Sequence, residues 1–206
     1  MNLYYNRRVL VIATTNRHKF IEIEQILAGL PITLVPLDKQ TEIKAPEETG
    51  LTFADNAKLK ATYYSSNSRF LTVADDSGLE IDALDGEPGV LSARFNGESY
   101  PEKFEEIYRQ LRERNVTGSS ARFVCSIALA EYKHVIFKTT RTIEGRITLT
   151  PRGQNGFGYD PIFFYPPHTK TLAELSPKSK AAVSHRGQAF RALRCFLENH
   201  LISQAR

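Results

Sequence analysis

The chain has 206 residues, of which 41% are apolar and 24% charged, and its net charge is +4. These values are typical of a water-soluble globular protein, and we expect one domain over residues 1–206, built as two lobes. The small positive charge is not gathered into a long basic run, and no apolar run reaches membrane-spanning length. Neither a nucleic acid nor a membrane is therefore an expected partner.

Cysteine usage bears on the cellular compartment. The only two cysteines, Cys125 and Cys195, are far apart in the sequence. They provide neither a disulfide framework nor the spacing of a metal site, so a reducing cytoplasm is the expected location. Each lies in an apolar pattern and is predicted to be buried. The first residues lack the apolar core of a signal peptide, which agrees with this expectation.

The first predicted elements are a strand, a loop and a helix. Residues 9–13 form a continuous apolar run rich in β-branched side chains, which predicts a strand covered on both faces. After a polar turn, Phe20, Ile23 and Leu27 recur at helical spacing. Pro31 is expected to stop this helix.

A second helix and a second buried strand follow. Thr52 can cap the helix, with Asp55 three residues later. The buried face of this helix is predicted to comprise Phe53, Ala57, Ala61 and Tyr64. Residues 70–74 predict the strand, which we expect to end at the acidic pair Asp75-Asp76.

The second half of the chain continues the mixture of helices and strands. Pro101 is predicted to open a helix, and residues 121–147 alternate like an antiparallel pair of strands. Residues 162–164 predict a short strand, and Ser184 is predicted to cap a C-terminal helix. The apolar residues expected to face inward from the two helices are Phe104, Ile107, Leu111, Ala189, Leu193, Phe196 and Leu197. This order predicts an α/β fold with a mixed, partly parallel sheet.

The loop after the first strand is a candidate phosphate site. A loop between a buried strand and a helix places free backbone N–H groups where they can bind an anion. Lys19 lies in the first turn of the helix, where the helix dipole disfavours a cation, and a bound phosphate would remove that conflict. The alternative is an ordinary polar turn with a solvated lysine.

The acidic pair Asp75-Asp76 is a candidate metal site. Two adjacent carboxylates both ionise readily only when a cation is near, and Mg²⁺ suits a site with few carboxylates. Glu47 and Glu48, before the second helix, could supply a further ligand. The alternative is an acidic turn without function.

Two further blocks could bind a nucleotide. His185 and Arg186 place cationic groups at a helix start, and Phe157 and Tyr159 lie in a glycine-rich turn. The two aromatic rings could form a wall on which a base stacks, or they could pack beneath the loop. Individual lysines such as Lys180 are most often solvated.

Six blocks together are more specific than any one of them. Their order closely resembles the inosine/xanthosine triphosphate pyrophosphatase family, over about Val9 to Leu197. The blocks are Thr14-x-Asn16-x-x-Lys19, Glu48-Thr49-Gly50-x-Thr52-Phe53-x-x-Asn56-Ala57-x-x-Lys60-Ala61, Ala74-Asp75-Asp76-Ser77-Gly78-Leu79, Pro88-Gly89-Val90-x-Ser92-Ala93-Arg94, Gly156-Phe157-Gly158-Tyr159-Asp160-Pro161 and Lys180-x-x-Val183-Ser184-His185-Arg186.

The resemblance implies a two-lobed α/β fold with an elongated central mixed sheet, a cleft between the lobes and a homodimer. It implies Mg²⁺-dependent hydrolysis of ITP, dITP and XTP to the monophosphate and pyrophosphate. By position, Asp76 would be the catalytic base and a metal ligand, and Glu48 the second metal ligand. Residues that would contact the triphosphate are Thr14, Thr15, Asn16, Arg17, His18, Lys19, Lys60 and Ser77. Those that would hold the nucleotide and its base are Phe157, Gly158, Tyr159, Asp160, Lys180, His185 and Arg186.

Small departures from the family pattern concern substrate preference rather than the reaction. Thr15 stands where many relatives have Gly or Asn, Ser179 where Asn is frequent, and Phe95 where Tyr is usual. Two alternatives remain open: a pyrophosphatase for another modified nucleotide, and a module that binds nucleotide or nucleic acid without turnover.

Overall fold

A computed structural model describes residues 8–37, 43–68 and 70–203. The strands are β1 (Arg8–Ile12), β2 (Ile32–Pro36), β3 (Leu71–Ile81), β4 (Ser120–Glu131), β5 (His134–Ile147), β6 (Phe163–Tyr165) and β7 (Lys170–Thr171). The helices are α1 (Arg17–Leu27), α2 (Phe53–Ser68), α3 (Tyr100–Glu113), α4 (Pro177–Val183) and α5 (His185–Ser203).

The strands form one mixed sheet in the order β2-β1-β3-β4-β5-β6-β7. Strand β1 is parallel to both β2 and β3, whereas β6 is antiparallel to β5 and to β7. Strands β4 and β5 are neighbours joined by two residues, a connection short enough only for an antiparallel pair. The predicted α/β fold with a partly parallel sheet is therefore confirmed.

The chain divides into two compact units. Unit 1 comprises the residues up to Asp76, Ser126–Thr140 and the residues from Gly187 onward. Unit 2 comprises Ser77–Cys125 and Arg141–Arg186. Each unit has its own buried apolar cluster, which contains mainly alanine and other small side chains in unit 1 and many aromatic side chains in unit 2.

The first elements of unit 1 match their predictions. Strand β1 is buried along Leu10, Val11 and Ile12, as expected for a strand covered on both faces. In α2, the predicted face is buried, and the Thr52 hydroxyl accepts a hydrogen bond from the Asp55 amide at 3.1 Å. The local pattern alone therefore determines these elements correctly.

Strand β3 does not end at the acidic pair, so that prediction was wrong. The strand continues through Asp75 and Asp76 to Ile81. Both carboxylates are buried and accept hydrogen bonds from lysine side chains, so their charges do not require the strand to turn toward solvent. Beyond them, Leu79 and Ile81 are fully buried and extend the strand into unit 2.

In unit 2, helix α3 begins at Tyr100, one residue before the predicted Pro101. Ser99 caps it, and its side chain and that of Glu102 form reciprocal hydrogen bonds with each other's backbone. The predicted inward residues of α3 are buried. Strand β6 lies one residue later than predicted, and residues 166–168 form a short 3-10 turn after it.

The C-terminal part contains one unpredicted helix and one wrong burial prediction. Helix α4 is only seven residues long and was not anticipated. Helix α5 begins at His185, directly after Ser184, as predicted. Its predicted residues are buried except Phe196, which is partly exposed.

The two cysteines differ in exposure. Cys125 is buried in β4, as predicted, whereas Cys195 in α5 is exposed, contrary to the prediction. Two helical residues span about 200°, so a residue two positions after the buried Leu193 points to the opposite face. None of the helices in the described ranges is long and apolar enough to cross a lipid bilayer.

Candidate active site

Unit 1 contains a cluster of charged and amide side chains, which we call the acidic–basic cluster. Its members are Lys19, Glu48, Asn56, Lys60, Asp75 and Asp76. They come from the start of α1, the segment before α2, the first half of α2 and the middle of β3. Five of the six were predicted as site residues or considered in the acidic pair, and Asn56 was not.

The two aspartates bind different lysines. Lys19 Nζ lies 2.8 Å from Asp75 Oδ2, and Lys60 Nζ lies 3.2 Å from Asp76 Oδ1. Successive side chains of a strand point to opposite faces, which explains this division. Asp76 is therefore the aspartate that faces α2.

Lys60 also joins Asp76 to Glu48. Its Nζ is 3.1 Å from Glu48 Oε1, so two carboxylates share one ammonium. Glu47, the other acidic candidate before α2, is exposed. Of the two glutamates, Glu48 is thus the one that belongs to the cluster.

Asn56 holds the second oxygen of Asp76. Its Nδ2 donates to Asp76 Oδ2 at 3.1 Å, and its own Oδ1 accepts from the Gly50 amide at 2.8 Å. The sequence did contain a signal for this role, because Asn56 and Lys60 are four residues apart and therefore share one face of α2. The asparagine fixes the orientation of the carboxylate.

Burial and charge act in opposite directions on this cluster. Burial raises the pKa of Asp76, and the charge of Lys60 and the hydrogen bond from Asn56 only partly reverse that effect. Burial lowers the pKa of Lys60, but the charges of Asp76, Asp75 and Glu48 more than offset it and the net shift is upward. Lys60 thus stays a cation, and Asp76 is a better proton acceptor than an ordinary aspartate.

The N-terminus of α1 is capped by the protein itself. The Asn16 side chain accepts hydrogen bonds from the His18 amide at 2.9 Å and from the Lys19 amide at 3.2 Å. The expectation of free N–H groups was therefore wrong for these two residues. The Thr14 hydroxyl accepts from the Asn16 amide at 3.2 Å, and the side chains of Thr15, Arg17 and His18 are exposed.

Unit 2 contains a second group, the aromatic–basic cluster. Its members are Ser77, Phe157, Asp160, Lys180 and Arg186. Asp160, Lys180 and Arg186 are each at most 4% exposed, although all three carry charge. Charged groups are rarely buried to this degree unless they are paired, so this cluster is a built feature of the fold.

Two cationic side chains lie over the Phe157 ring. Lys180 donates to Asp160, and Asp160 Oδ2 also accepts from the Phe157 amide at 2.8 Å. The Lys180 ammonium lies 4.5 Å and the Arg186 guanidinium 5.5 Å from the centroid of the Phe157 ring. Arg186 donates in addition to Ser77 Oγ at 2.8 Å. The partly exposed ring is thus the aromatic surface of this cluster.

Tyr159 has the structural role that the sequence left open. It is only 4% exposed, packs in the apolar cluster of unit 2, and donates its hydroxyl proton to Ser92 O at 2.9 Å. It therefore packs beneath the turn, and Phe157 alone of the two is placed to stack on a ligand. His185 is buried as well, with its ring stacked on Phe123 at 4.7 Å between centroids.

Gly156 is required by the turn that carries Phe157. Its φ is +74°, and a Cβ there would lie 2.2 Å from Asp160 Oδ2. Any side chain at this position would therefore displace the carboxylate that pairs with Lys180.

A divalent cation was expected at Asp76 and Glu48. Within the described residues, no group of three or more His, Cys, Asp and Glu side chains is arranged to hold a metal. The two carboxylates do converge on one cation, the Lys60 ammonium, and offer only oxygen ligands. That donor set fits Mg²⁺, which takes few carboxylates and completes its shell with water and phosphate oxygens.

Both clusters lie inside the region that identifies the family. The model of the Ham1 family matches residues 10–196. The chain belongs to the Ham1 family. A relative named dITP/XTP pyrophosphatase from Methylacidiphilum infernorum is 42% identical over 195 residues, which is 93% of this chain and 96% of the relative. Another of the same name from an Exiguobacterium species is 46% identical over 187 residues, 89% of this chain and 94% of the relative.

Solved structures of Ham1 proteins share the fold. The structure of a HAM1 protein from Coxiella burnetii matches with a TM-score of 0.85 and 39% identity, over 93% of this chain and 99% of that one. A nucleoside-triphosphatase, or dITP/XTP pyrophosphatase, from Mycobacterium abscessus matches with a TM-score of 0.70 and 38% identity, over 90% and 97%.

Proposed function

We propose that this protein hydrolyses deaminated purine nucleoside triphosphates, namely ITP, dITP and XTP, to the monophosphate and pyrophosphate. The observation that carries this proposal is the near-complete match to relatives named dITP/XTP pyrophosphatase, at 42% and 46% identity. The acidic–basic cluster of unit 1 supplies the groups that this reaction requires. Removal of such triphosphates would keep them out of the nucleotide pool.

The acidic–basic cluster acts on the phosphates. A water molecule attacks the α-phosphorus, the bond to the bridging oxygen of the β-phosphate breaks, and Asp76 accepts the proton of the water. The raised pKa of Asp76 supports this role. Lys19 and Lys60 are the cations placed to take up charge on the departing pyrophosphate.

Mg²⁺ is the proposed cofactor, held by Asp76 and Glu48. When bound, it would neutralise phosphate charge that the lysines alone do not balance. Thr14, Thr15, Asn16, Arg17 and His18 around the start of α1, with Ser77, are proposed as further contacts of the triphosphate. Because Asn16 occupies the amides of His18 and Lys19, side chains rather than these amides would bind phosphate there.

The aromatic–basic cluster binds the base. Phe157 offers its ring for stacking, while Lys180, His185 and Arg186 are donors and Asp160 is an acceptor. A 6-oxopurine presents an acceptor at O6 and a donor at N1, whereas adenine presents the reverse. A site that offers both donors and an acceptor therefore favours a 6-oxopurine over adenine. Gly158 and Tyr159 lie in the turn that carries Phe157 and Asp160.

Three further properties are proposed: the location from the cysteine usage, the assembly from the family resemblance and the single domain from the chain length. The protein would act in the cytoplasm, as a homodimer, and each chain would work as a single domain composed of the two compact units. Light scattering coupled to size exclusion would report the mass of the assembly, and a mass of one chain would contradict the dimer.

A panel of nucleoside triphosphates tests the function. The purified protein is incubated with ITP, dITP, XTP, GTP, ATP and modified pyrimidine triphosphates in Mg²⁺, and pyrophosphate and orthophosphate are measured separately. We expect pyrophosphate release that is fastest with the deaminated purines. Release of orthophosphate would contradict cleavage at the α-phosphorus, and a preference for another nucleotide would change the substrate class. No turnover, with a salt-sensitive affinity for polynucleotide, would indicate a binding module.

A further inference from the structure

Lys103 is a buried lysine that neither the sequence patterns nor the proposed chemistry uses. It lies in α3 of unit 2 and is 5% exposed. Its Nζ donates to Ala93 O at 2.6 Å and lies 5.1 Å from the centroid of the Tyr100 ring. Burial lowers the pKa of this amine. A lysine is seldom buried without such specific contacts. The two groups that Lys103 contacts are in turn connected to residues 156–160, the turn that carries Phe157.

The contact with Ala93 connects Lys103 to Tyr159 through the backbone of residues 92 and 93. Ser92, next to Ala93, accepts a hydrogen bond on its carbonyl from the Tyr159 hydroxyl at 2.9 Å. The Ser92 hydroxyl bonds Gly89 O at 2.6 Å and accepts from the Leu79 amide at 2.9 Å. Lys103 therefore bonds the carbonyl of Ala93, directly after the residue whose carbonyl accepts the Tyr159 hydroxyl.

The contact with Tyr100 connects Lys103 to Tyr159 and Gly158 through the Tyr100 side chain. The Tyr100 and Tyr159 rings form a T-shaped contact, with 5.3 Å between centroids and 88° between planes. The Tyr100 hydroxyl is the nearest atom, at 3.5 Å, to a Cβ built on Gly158. Burial raises the pKa of Tyr100, the charge of Asp160 raises it further, and Arg186 lowers it. Tyr100 thus lies within electrostatic reach of Asp160 and Arg186, two of the three charged residues of the aromatic–basic cluster.

We propose that Lys103 is a positioning residue for base recognition, which holds the Ala93 carbonyl and the Tyr100 ring so that residues 156–160 keep the shape that favours 6-oxopurines. This inference rests on the proposed function and adds a specificity residue to it. Lys103 itself acts only through Ala93 and Tyr100. Its loss should therefore change the binding of the base more than the chemical step.

The test compares three variants. Lys103→Met keeps an unbranched side chain one heavy atom shorter and removes the charge. Lys103→Arg keeps a cation that can bond a carbonyl and stack on a ring. Lys133→Met is the matched control, because Lys133 is an exposed lysine 5.9 Å from the Tyr132 ring centroid. Amide hydrogen exchange at Phe157 and Asp160 measures the turn directly, and steady-state kinetics with ITP and ATP measure its effect on recognition.

In Lys103→Met, we expect the amides of Phe157 and Asp160 to exchange about tenfold faster. The KM for ITP should rise about tenfold and the ITP-to-ATP ratio of kcat/KM should fall about tenfold, with kcat changed by less than about twofold. Lys103→Arg should restore most of the wild-type behaviour, and Lys133→Met should match the wild type. A purely structural defect would reduce kcat through the folded fraction and leave KM unchanged.

Two results would overturn the proposal. Unchanged exchange at both amides in Lys103→Met would show that Lys103 does not hold the turn. Faster amide exchange with an unchanged ITP-to-ATP ratio of kcat/KM would show that Lys103 stabilises the turn but does not affect substrate specificity. If the wild-type protein does not hydrolyse ITP, the proposed function fails by itself, and the exchange data still decide whether Lys103 holds residues 156–160.

Discussion

Replacing Asp76 with asparagine removes the charge of the proposed general base and keeps its size. In the wild type, Oδ1 faces Lys60 Nζ at 3.2 Å and Oδ2 accepts from Asn56 Nδ2 at 3.1 Å. An asparagine has only one acceptor oxygen, so in either orientation its amino group meets a donor. One unsatisfied contact of this kind costs about 1–3 kcal/mol, which is less than the roughly 5–15 kcal/mol stability of a typical domain. The variant should therefore fold.

The catalytic effect of Asp76→Asn should be much larger than its effect on stability. Loss of a general base lowers kcat by about 10²–10⁴, which corresponds to about 2.7–5.4 kcal/mol in the activation barrier. The assay is pyrophosphate release from saturating ITP and Mg²⁺, with thermal unfolding of the same sample as the measure of folding.

Two other aspartate-to-asparagine substitutions serve as comparisons for Asp76→Asn. Asp85→Asn changes an exposed aspartate paired with Arg114 and should leave kcat unchanged. Asp75→Asn breaks the pair with Lys19 and should act mainly on KM. A folded Asp76→Asn protein with kcat within about tenfold of the wild type would refute the general-base assignment.

Three further predictions concern unit 2. Arg186→Ala should narrow the ITP-to-ATP ratio of kcat/KM, and an equal loss with both substrates would mean that Arg186 binds only phosphate. Gly156→Ala should raise the KM for ITP and lower the melting temperature, because its Cβ would meet Asp160 at a φ of +74°; a KM equal to that of the wild type would contradict this reasoning. Backbone hydrogen bonds from Ser99 and Glu98 lower the pKa of Glu102, so its stabilising effect is complete above its ordinary value of 4.5 and is lost as the pH falls through the lowered value. The difference in urea midpoint between wild type and Glu102→Gln should therefore shrink as the pH falls from about 6 to about 3, and a constant difference would argue against the pKa shift.

Much of the fold was predictable because it depends on local periodicity. The buried faces of α2 and α3 follow the 3.6-residue spacing of their apolar side chains. Helices α2 and α5 begin directly after Thr52 and Ser184, the residues expected to precede them. Strand β1 was recognisable from its continuous apolar run. The positions of these helices and strands are determined by side chains that are close together in the sequence.

The site was only partly predictable because its pairs are distant in the sequence. Lys19 bonds Asp75 across 56 positions, and that partner is what allows β3 to continue through two carboxylates. When the lysine partner is not known, two adjacent aspartates are better interpreted as the end of a strand. The roles of Phe157 and Tyr159 were likewise undetermined, since burial beneath a turn depends on packing in unit 2.

Because one cysteine is exposed and the other buried, the reactivity of the two thiols can measure the fraction of folded protein. In the native state, a thiol reagent should modify Cys195 and be excluded from Cys125, which is fully buried in β4. Unfolding should expose the second thiol, so one equivalent of label reports the native state and two equivalents report the denatured state. The number of thiols labelled per chain thus gives the folded fraction of each substituted protein. A low turnover can then be assigned either to impaired chemistry or to a smaller fraction of folded protein in the same sample.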